Sequence, residues 1–298
     1  MILFRSEMSL TFKSQVDVCV LAANYNNGIY LKQFIEGIIN SSVRPKKLII
    51  VDDASTDNSI SVIDSFVNSG LDIVLVKLKL NLGFANALNK GLPYVDSKYV
   101  LRIDPDDIIH PSRIEIQYKF LEENCLIDIV GSNVAYFIGS ETKITGKSKF
   151  PTNHQSIVQC YKAGHHGVCH GSVMMKSKCF HNEKYNQKNV PAEEYDIFSR
   201  LANKKHIFGN IPDVLTFVRV HESSVSNNMP YTTVAKTFKL REKLWRLKTN
   251  RLYVFKEFIA RNAYRKYISH INLSVCIPNH CCLMKPFSAI LRITKIAN

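Results

Sequence analysis

Apolar and polar positions alternate between two patterns in the first half of the chain. Four runs are continuously apolar and end in polar residues: "VDVCVLAANYN" (16–26), "KKLIIVDDAST" (46–56), "DIVLVKLKL" (72–80) and "KYVLRIDPDD" (98–107). Unbroken runs of this length predict strands buried on both faces. Between them the spacing becomes helical. In "YLKQFIEGIINSS" (30–42) the apolar residues are Leu31, Phe34, Ile35, Ile38 and Ile39. The stretches 56–70, 83–95 and 111–124 read the same way, the first closing on Gly70 and the last opening near Pro111. Strand–helix alternation predicts an α/β fold, a doubly wound and mainly parallel sheet with helices on both faces.

Beyond residue 125 the pattern weakens. Residues 127–139, 170–180 and 211–226 predict strands, with a polar loop ending the last, and 190–204 predicts a helix. From Thr232 to His270 the chain reads as helical, basic and rich in aromatic residues. Charge sharpens this division. Residues 231–298 carry 14 of the 39 Lys and Arg residues but only Glu242 and Glu257 of the 25 acids, a local balance of +12. The expected organisation is a nearly neutral domain over 1–230 and a basic helical extension over 231–298.

Length and composition suit a globular protein: 298 residues, 46% hydrophobic and 21% charged. The eight cysteines form no CxxC pair, which predicts reduced thiols in a cytosolic protein. The start "MILFRSEMSLTFKSQ" does not read as a signal peptide. No window approaches the roughly 20 apolar residues of a membrane span.

Candidate chemistry gathers where the strands end, and ligands of such sheets sit beyond the strands' carboxyl ends. Asp52 and Asp53 close one strand, and Asp104, Asp106 and Asp107 close another. Adjacent residues on a strand alternate, so one of Asp52 and Asp53 is expected to face the crevice and accept from a ribose or base. Ser55, Thr56 and Asp57 read as a helix cap. Asp104 and Asp106 flank Pro105, and oxygen ligands in that arrangement suit Mg²⁺ or Mn²⁺ shared with substrate phosphates. Asp107 is placed to favour the start of the next helix.

Seven segments in order carry a family resemblance: "VCVLAANYNNGIYLKQFIEGIINSS", "LIIVDDASTDNS", "NLGFANALNKGL", "YVLRIDPDDIIHPSRIEIQ", "HGSVMMKS", "AEEYDIFSRLA" and "VRVHESSVS". They span roughly residues 16–226, and the chain resembles a family 2 glycosyltransferase with the GT-A fold. The resemblance implies a nucleotide-sugar donor and a divalent metal, Mn²⁺ or Mg²⁺. It places Ala23, Tyr25, Asn26, Asp52, Asp53, Asn81, Gly83 and Asp104 around the nucleotide and Asp106 on the metal. Arg219 is implied as a diphosphate contact and His221 as a metal or phosphate contact. An inverting transferase needs one general base to deprotonate the acceptor hydroxyl. The family has Glu-Asp at this helix start, whereas this chain has Glu193-Glu194. Glu194 occupies the base position, with Glu193 and Asp196 as alternatives. His170 is implied near the acceptor.

Other readings are weaker. "HHGVCH" (165–170) crowds its candidate ligands too closely for a zinc site. A nucleotidyltransferase would want a Gly-rich basic loop after the first strand, which "LAANYNNG" does not supply. A signalling module would leave the 170–226 elements unused. A catalytically degenerate, binding-only protein remains the main alternative, and Glu194 discriminates it. The basic, aromatic 232–270 segment suits an anionic membrane surface rather than nucleic acid. The expected setting is cytoplasmic and peripheral on the inner membrane face, with a glycan or polyprenyl-linked acceptor.

Overall fold

The computed structural model describes residues 13–221, 230–270 and 276–278. The expected continuation of the 211–226 strand therefore falls partly outside the described residues. The chain begins β1 (Gln15–Asn24), α1 (Gly28–Ile39), β2 (Arg44–Asp52), α2 (Ser59–Asp64), β3 (Ile73–Lys77), α3 (Phe84–Gly91), β4 (Tyr99–Arg102). It continues β5 (Ile108–Ile109), α4 (Arg113–Glu123), β6 (Ile129–Phe137), β7 (Ile144–Lys149), α5 (His154–Ala163), β8 (Met174–Lys176) and α6 (Glu193–Asn203). The last described elements are β9 (Phe208–Arg219), α7 (Tyr231–Trp245), α8 (Arg251–His270) and β10 (Cys276–Pro278).

One sheet runs through the molecule in the order β10-β7-β6-β8-β4-β1-β2-β3, with β9 beside β6 and β5 beside β9. From β3 to β4 all pairs are parallel. Beyond β4 the sheet is mixed: β8 runs antiparallel to β4 and β6, while β9 runs parallel to β6. The chain winds outward from β1 to β3, then returns to the other side of β1 as β4. That reversal opens a crevice beyond the carboxyl ends of β1 and β4.

Both faces are covered, as the apolar runs predict. Val18, Val20 and Ala22 of β1 pack with Leu31, Phe34, Ile35 and Ile38 of α1 and with Ile114 and Leu121 of α4. Cys19 and Leu21 face the other way, onto Ala85 and Leu88 of α3 and Phe198 and Leu201 of α6. Each fully buried side chain of this size contributes roughly 1.5–3 kcal/mol. Leu240 of α7 joins the second of these cores, with Leu244 and Trp245 at its edge. Val234, Phe238 and Val254 make a small core between α7 and α8.

Several elements differ from expectation. The 98–107 strand stops at Arg102, because Asp104 to Asp107 form a turn closed by the Asp107 amide on the Asp104 carbonyl at 3.1 Å. Only Met174–Lys176 of the expected 170–180 strand is extended. Ser172 is drawn into a turn instead, its amide on Cys169 O at 3.0 Å and its hydroxyl on Ser132 O at 3.0 Å. Strands β5 and β7 and helix α5 were not expected, being short or polar in pattern; α5 is bounded by an Asn153 cap and Gly164 in the left-handed region. Cys160 is disulfide-bonded, against the expectation of eight reduced thiols, whereas Cys19, Cys125, Cys169 and Cys179 are free. Spacing along a sequence cannot reveal a pairing that the fold creates.

Candidate active site

The turn after β4 carries the densest charge in the crevice. Carboxylate oxygens of Asp104, Asp106 and Asp107 all lie within 4.8 Å of one another. Asp107 is buried, and its Oδ1 accepts the Arg219 amide at 3.0 Å. It does not start the next helix, which begins at Arg113. The reason is tertiary: β9 arrives beside the turn and supplies a donor closer than any helix end. Burial, with the charges of Asp104 and Asp106, pushes the Asp107 pKa well above the carboxylate range. Burial and Asp104 also raise Asp106, although His221 opposes the shift through Nε2 at 3.0 Å from Oδ2.

Two arginines brace this turn from opposite sides. Arg102, at the end of β4, grips Asp104 through both terminal nitrogens. It is buried, and the Phe84 ring lies 5.0 Å away. Arg219, at the end of β9, donates from Nε to Asp106 O at 2.9 Å and from Nη2 to Gln33 at 2.7 Å. Its guanidinium is sandwiched between Tyr30 and Phe137 at 4.7 and 4.6 Å. A third arginine, Arg113, is fully buried and hydrogen-bonds no carboxylate among the described residues. It donates to the carbonyls of Arg102, Gly171 and Val173 and to Thr216 Oγ1. Burial lowers its pKa to about 9. Arg113 thereby ties the end of β4, the 170–172 turn and β9 into one unit. Gly171 presses against the acids: a Cβ there would sit 3.2 Å from Arg102 and 3.4 Å from Asp104 and Asp107.

The acids after β2 stand differently. Asp52 Oδ1 accepts the Ser55 amide at 2.9 Å, and Oδ2 accepts Asn24 Nδ2 at 2.8 Å and the Ser55 hydroxyl at 2.7 Å. Asp53 accepts the amides of Leu82 and Gly83 at 2.7 and 2.9 Å. Both are buried, so these carboxylates shape the 24–26 and 81–83 loops from within. Asn26 takes a positive φ of 55° and receives the Thr56 amide at 2.7 Å. Tyr25, 47% exposed, and Asn81 project from these loops, and Ala23 lies half-buried below them. Asp57, one of the three residues the sequence offers as a cap, accepts the Ser59 amide at 2.9 Å and the Gly28 amide of α1 at 2.8 Å, while the N-cap position itself is Asn58, whose side chain makes no capping bond.

Opposite the acidic turn stands the start of α6. Glu194 Oε1 lies 3.1 Å from His170 Nδ1, and its side chain is 37% exposed. Burial works against its charge, but His170, His166 and Arg102 overcome it and hold the pKa at about 2. Glu193 is buried, with Oε2 lacking a hydrogen-bond partner among the described residues. Burial and the Glu194 charge raise its pKa to about 7. Asp196 points elsewhere, to Arg200 at 3.0 Å. The structure thus brings Asp104, Asp106, Asp107, Arg219 and His221 together and sets Glu194 near Arg102. It leaves Asp52 and Asp53 in supporting bonds and Asp196 in an ion pair on its own helix.

Comparison with known proteins decides the family. Residues 19–182 match the profile of Glycosyl transferase family 2. The chain belongs to glycosyltransferase family 2. An uncharacterized glycosyltransferase of Methanocaldococcus jannaschii is 31% identical over 205 residues, covering 68% of this chain and 70% of its own. The amylovoran biosynthesis glycosyltransferase AmsE of Erwinia amylovora is 27% identical over 73% of this chain and 79% of its own. Among solved structures, the mannosyltransferase PcManGT of Pyrobaculum calidifontis, in complex with GDP-Man and Mn²⁺, superposes with a TM-score of 0.59. It is 16% identical, over 97% of this chain and 77% of the other, a likeness of fold alone. The fold is GT-A, and the protein is a glycosyltransferase.

Some parts of this transferase's site escape sequence reasoning. Arg113 acts by contacts across 11 to 103 residues of chain, and Arg102 belongs to a strand, where a charged residue looks incidental. One usable signal existed: an arginine inside an otherwise apolar strand requires a buried partner.

Proposed function

We propose that the protein is a metal-dependent, inverting transferase that moves a sugar from a nucleotide-sugar donor to a hydroxyl of a glycan or lipid-linked acceptor. Relatives that include a polysaccharide-biosynthesis enzyme favour a role in cell-surface polysaccharide synthesis. The observation that carries this reading is the pairing of a carboxylate cluster with a part-exposed Glu194 bonded to His170, the Arg102 that grips Asp104 also lying close enough to favour the Glu194 charge.

The cluster fits a hard divalent cation. Its donors are carboxylates within 4.8 Å of each other, and a cation would offset both causes that raise Asp106, its burial first and the Asp104 charge second. Asp106 and His221 would hold Mn²⁺ or Mg²⁺, with Asp104 beside them toward the ribose. A bound metal offsets the charge of the departing nucleoside diphosphate. The 24–26 and 81–83 loops, held by Asp52 and Asp53, wrap the nucleotide. Arg219 supports the turn, and a diphosphate oxygen would compete with Gln33 for its Nη2. Glu194 Oε2 accepts the proton of the acceptor hydroxyl. That oxygen then attacks the anomeric carbon as the bond to the diphosphate breaks, which inverts the centre.

The acceptor side favours a membrane setting. On α8, Leu252, Phe255 and Ile259 are 61%, 50% and 48% exposed, at helical spacing. Exposed Lys256 and Arg251 flank them. An apolar stripe edged by cations suits an anionic bilayer surface, the inner face of the membrane. No helix among the described residues is long and apolar enough to cross a membrane. The test is a panel of nucleotide sugars, including GDP-Man and UDP-GlcNAc, assayed for release of nucleoside diphosphate with Mn²⁺ and after chelation. One donor should turn over only with metal; turnover undiminished by chelation refutes the metal role, and binding without turnover of any donor refutes catalysis.

A further inference from the structure

Behind Glu194 lies a chain of buried polar groups to which the proposed reaction assigns no part. His170 is 2% exposed and Tyr185 4%. The Tyr185 hydroxyl lies 2.8 Å from His170 Nε2, and His170 Nδ1 lies 3.1 Å from Glu194 Oε1. The imidazole cannot turn away. Phe84 and Phe198 meet it edge-on at 5.9 and 5.7 Å, and the Tyr185 ring lies at 5.4 Å. Tyr185 is itself clamped to α3. Asn89 Nδ2 donates to the Tyr185 carbonyl at 2.8 Å, and Asn89 Oδ1 accepts the Tyr185 amide at 2.9 Å.

We propose that Tyr185 and His170 are positioning residues for Glu194: the Tyr185 hydroxyl donates to His170 Nε2, which keeps the ring proton on Nδ1 for Glu194 Oε1. The geometry admits one consistent set of protons. With the proton on Nε2 instead, the bare Nδ1 lone pair would face a carboxylate at 3.1 Å, and two acceptors repel. A doubly protonated ring would leave Tyr185 to accept, but burial and the neighbouring Arg102 disfavour that charge. The neutral Nδ1–H form satisfies all three groups. It also fixes one carboxylate oxygen and leaves Oε2, which makes no hydrogen bond among the described residues, to the acceptor. This is the orienting arrangement of a base held by a second group and that group by a third.

The inference rests on Glu194 being the base, and the experiment separates the two. His170→Asn puts an amide donor where Nδ1 stands; His170→Gln puts it where Nε2 stands. With the donor identified by the panel and Mn²⁺, nucleoside diphosphate release should keep its kcat within about threefold in His170→Asn and fall about tenfold or more in His170→Gln. KM for the donor should stay within about twofold in both. Equal losses in the two variants overturn the inference. In a Glu194→Gln background, His170→Gln should cost nothing further; an undiminished additional loss also overturns it. If Glu194→Gln alone keeps full kcat, the base assignment fails instead. Independently of any substrate, ¹⁵N-histidine NMR, assigned through the His170→Asn variant, should show a neutral ring protonated on Nδ1. A ring protonated on Nε2 overturns the proposal.

Discussion

Replacing Glu193 with Gln should stabilise the protein, and increasingly so as pH rises. Glu193 is 8% exposed, its Oε2 has no hydrogen-bond partner among the described residues, and its neighbour Glu194 is held in the ionised form. Burial first, and that neighbouring charge second, raise its pKa from 4.5 to about 7. The folded state therefore binds this proton more tightly than the unfolded chain does. Below about pH 4.5 both states hold the proton and the group is neutral in effect. As pH climbs toward 7 the unfolded chain ionises freely while the folded one does not, so stability falls; above 7 the loss is complete. The difference between 4.5 and about 7 corresponds to about 3 kcal/mol. Gln keeps the shape and the polar atoms but never ionises. Thermal unfolding followed by fluorescence at pH 5, 6, 7 and 8 is the assay. The variant should lie within about 1 kcal/mol of the parent at pH 5 and exceed its Tm by roughly 6 °C at pH 8. Parallel curves, with one constant offset at every pH, would refute the reasoning, because other titrating groups are common to both proteins and cancel. Such a buried destabilising charge beside a base is what a site strained for function looks like.

Other expectations concern chemistry and packing. Glu194→Gln should lower turnover about 10²–10⁴-fold with donor affinity preserved, measured by diphosphate release and calorimetry; if Glu193→Gln or Asp196→Asn does this instead, the base lies there. Asp106→Ala should remove Mn²⁺-dependent turnover while circular dichroism stays unchanged, and full activity in it contradicts the metal role. Arg113→Met should cost about 3 kcal/mol or more in urea unfolding, since several buried acceptors lose their donor at once; a change below about 1 kcal/mol would show that water replaces it. Leu252→Glu with Phe255→Glu should weaken binding to phosphatidylglycerol vesicles roughly tenfold or more, and unchanged sedimentation with vesicles counts against the membrane surface.

By itself the sequence determined the α/β alternation, the doubly wound and mainly parallel character of the sheet, and the placement of acids at strand ends. These follow from local rules: a strand buried on two faces must be apolar throughout, and charge can enter only where it stops. The family likewise showed in short motifs of fixed order. Tertiary structure decided what each polar group does, because a carboxylate's partner is set by distance in space. Asp52 and Asp104 look alike along the chain, yet one knits two loops and the other is gripped by a buried arginine beside an acid cluster. Asp107 looked like a helix start until β9 supplied its donor. Glu193 and Glu194 are chemically identical neighbours, yet burial and the adjacent charge raise the pKa of one to about 7, while His170, His166 and Arg102 outweigh burial and hold the other at about 2.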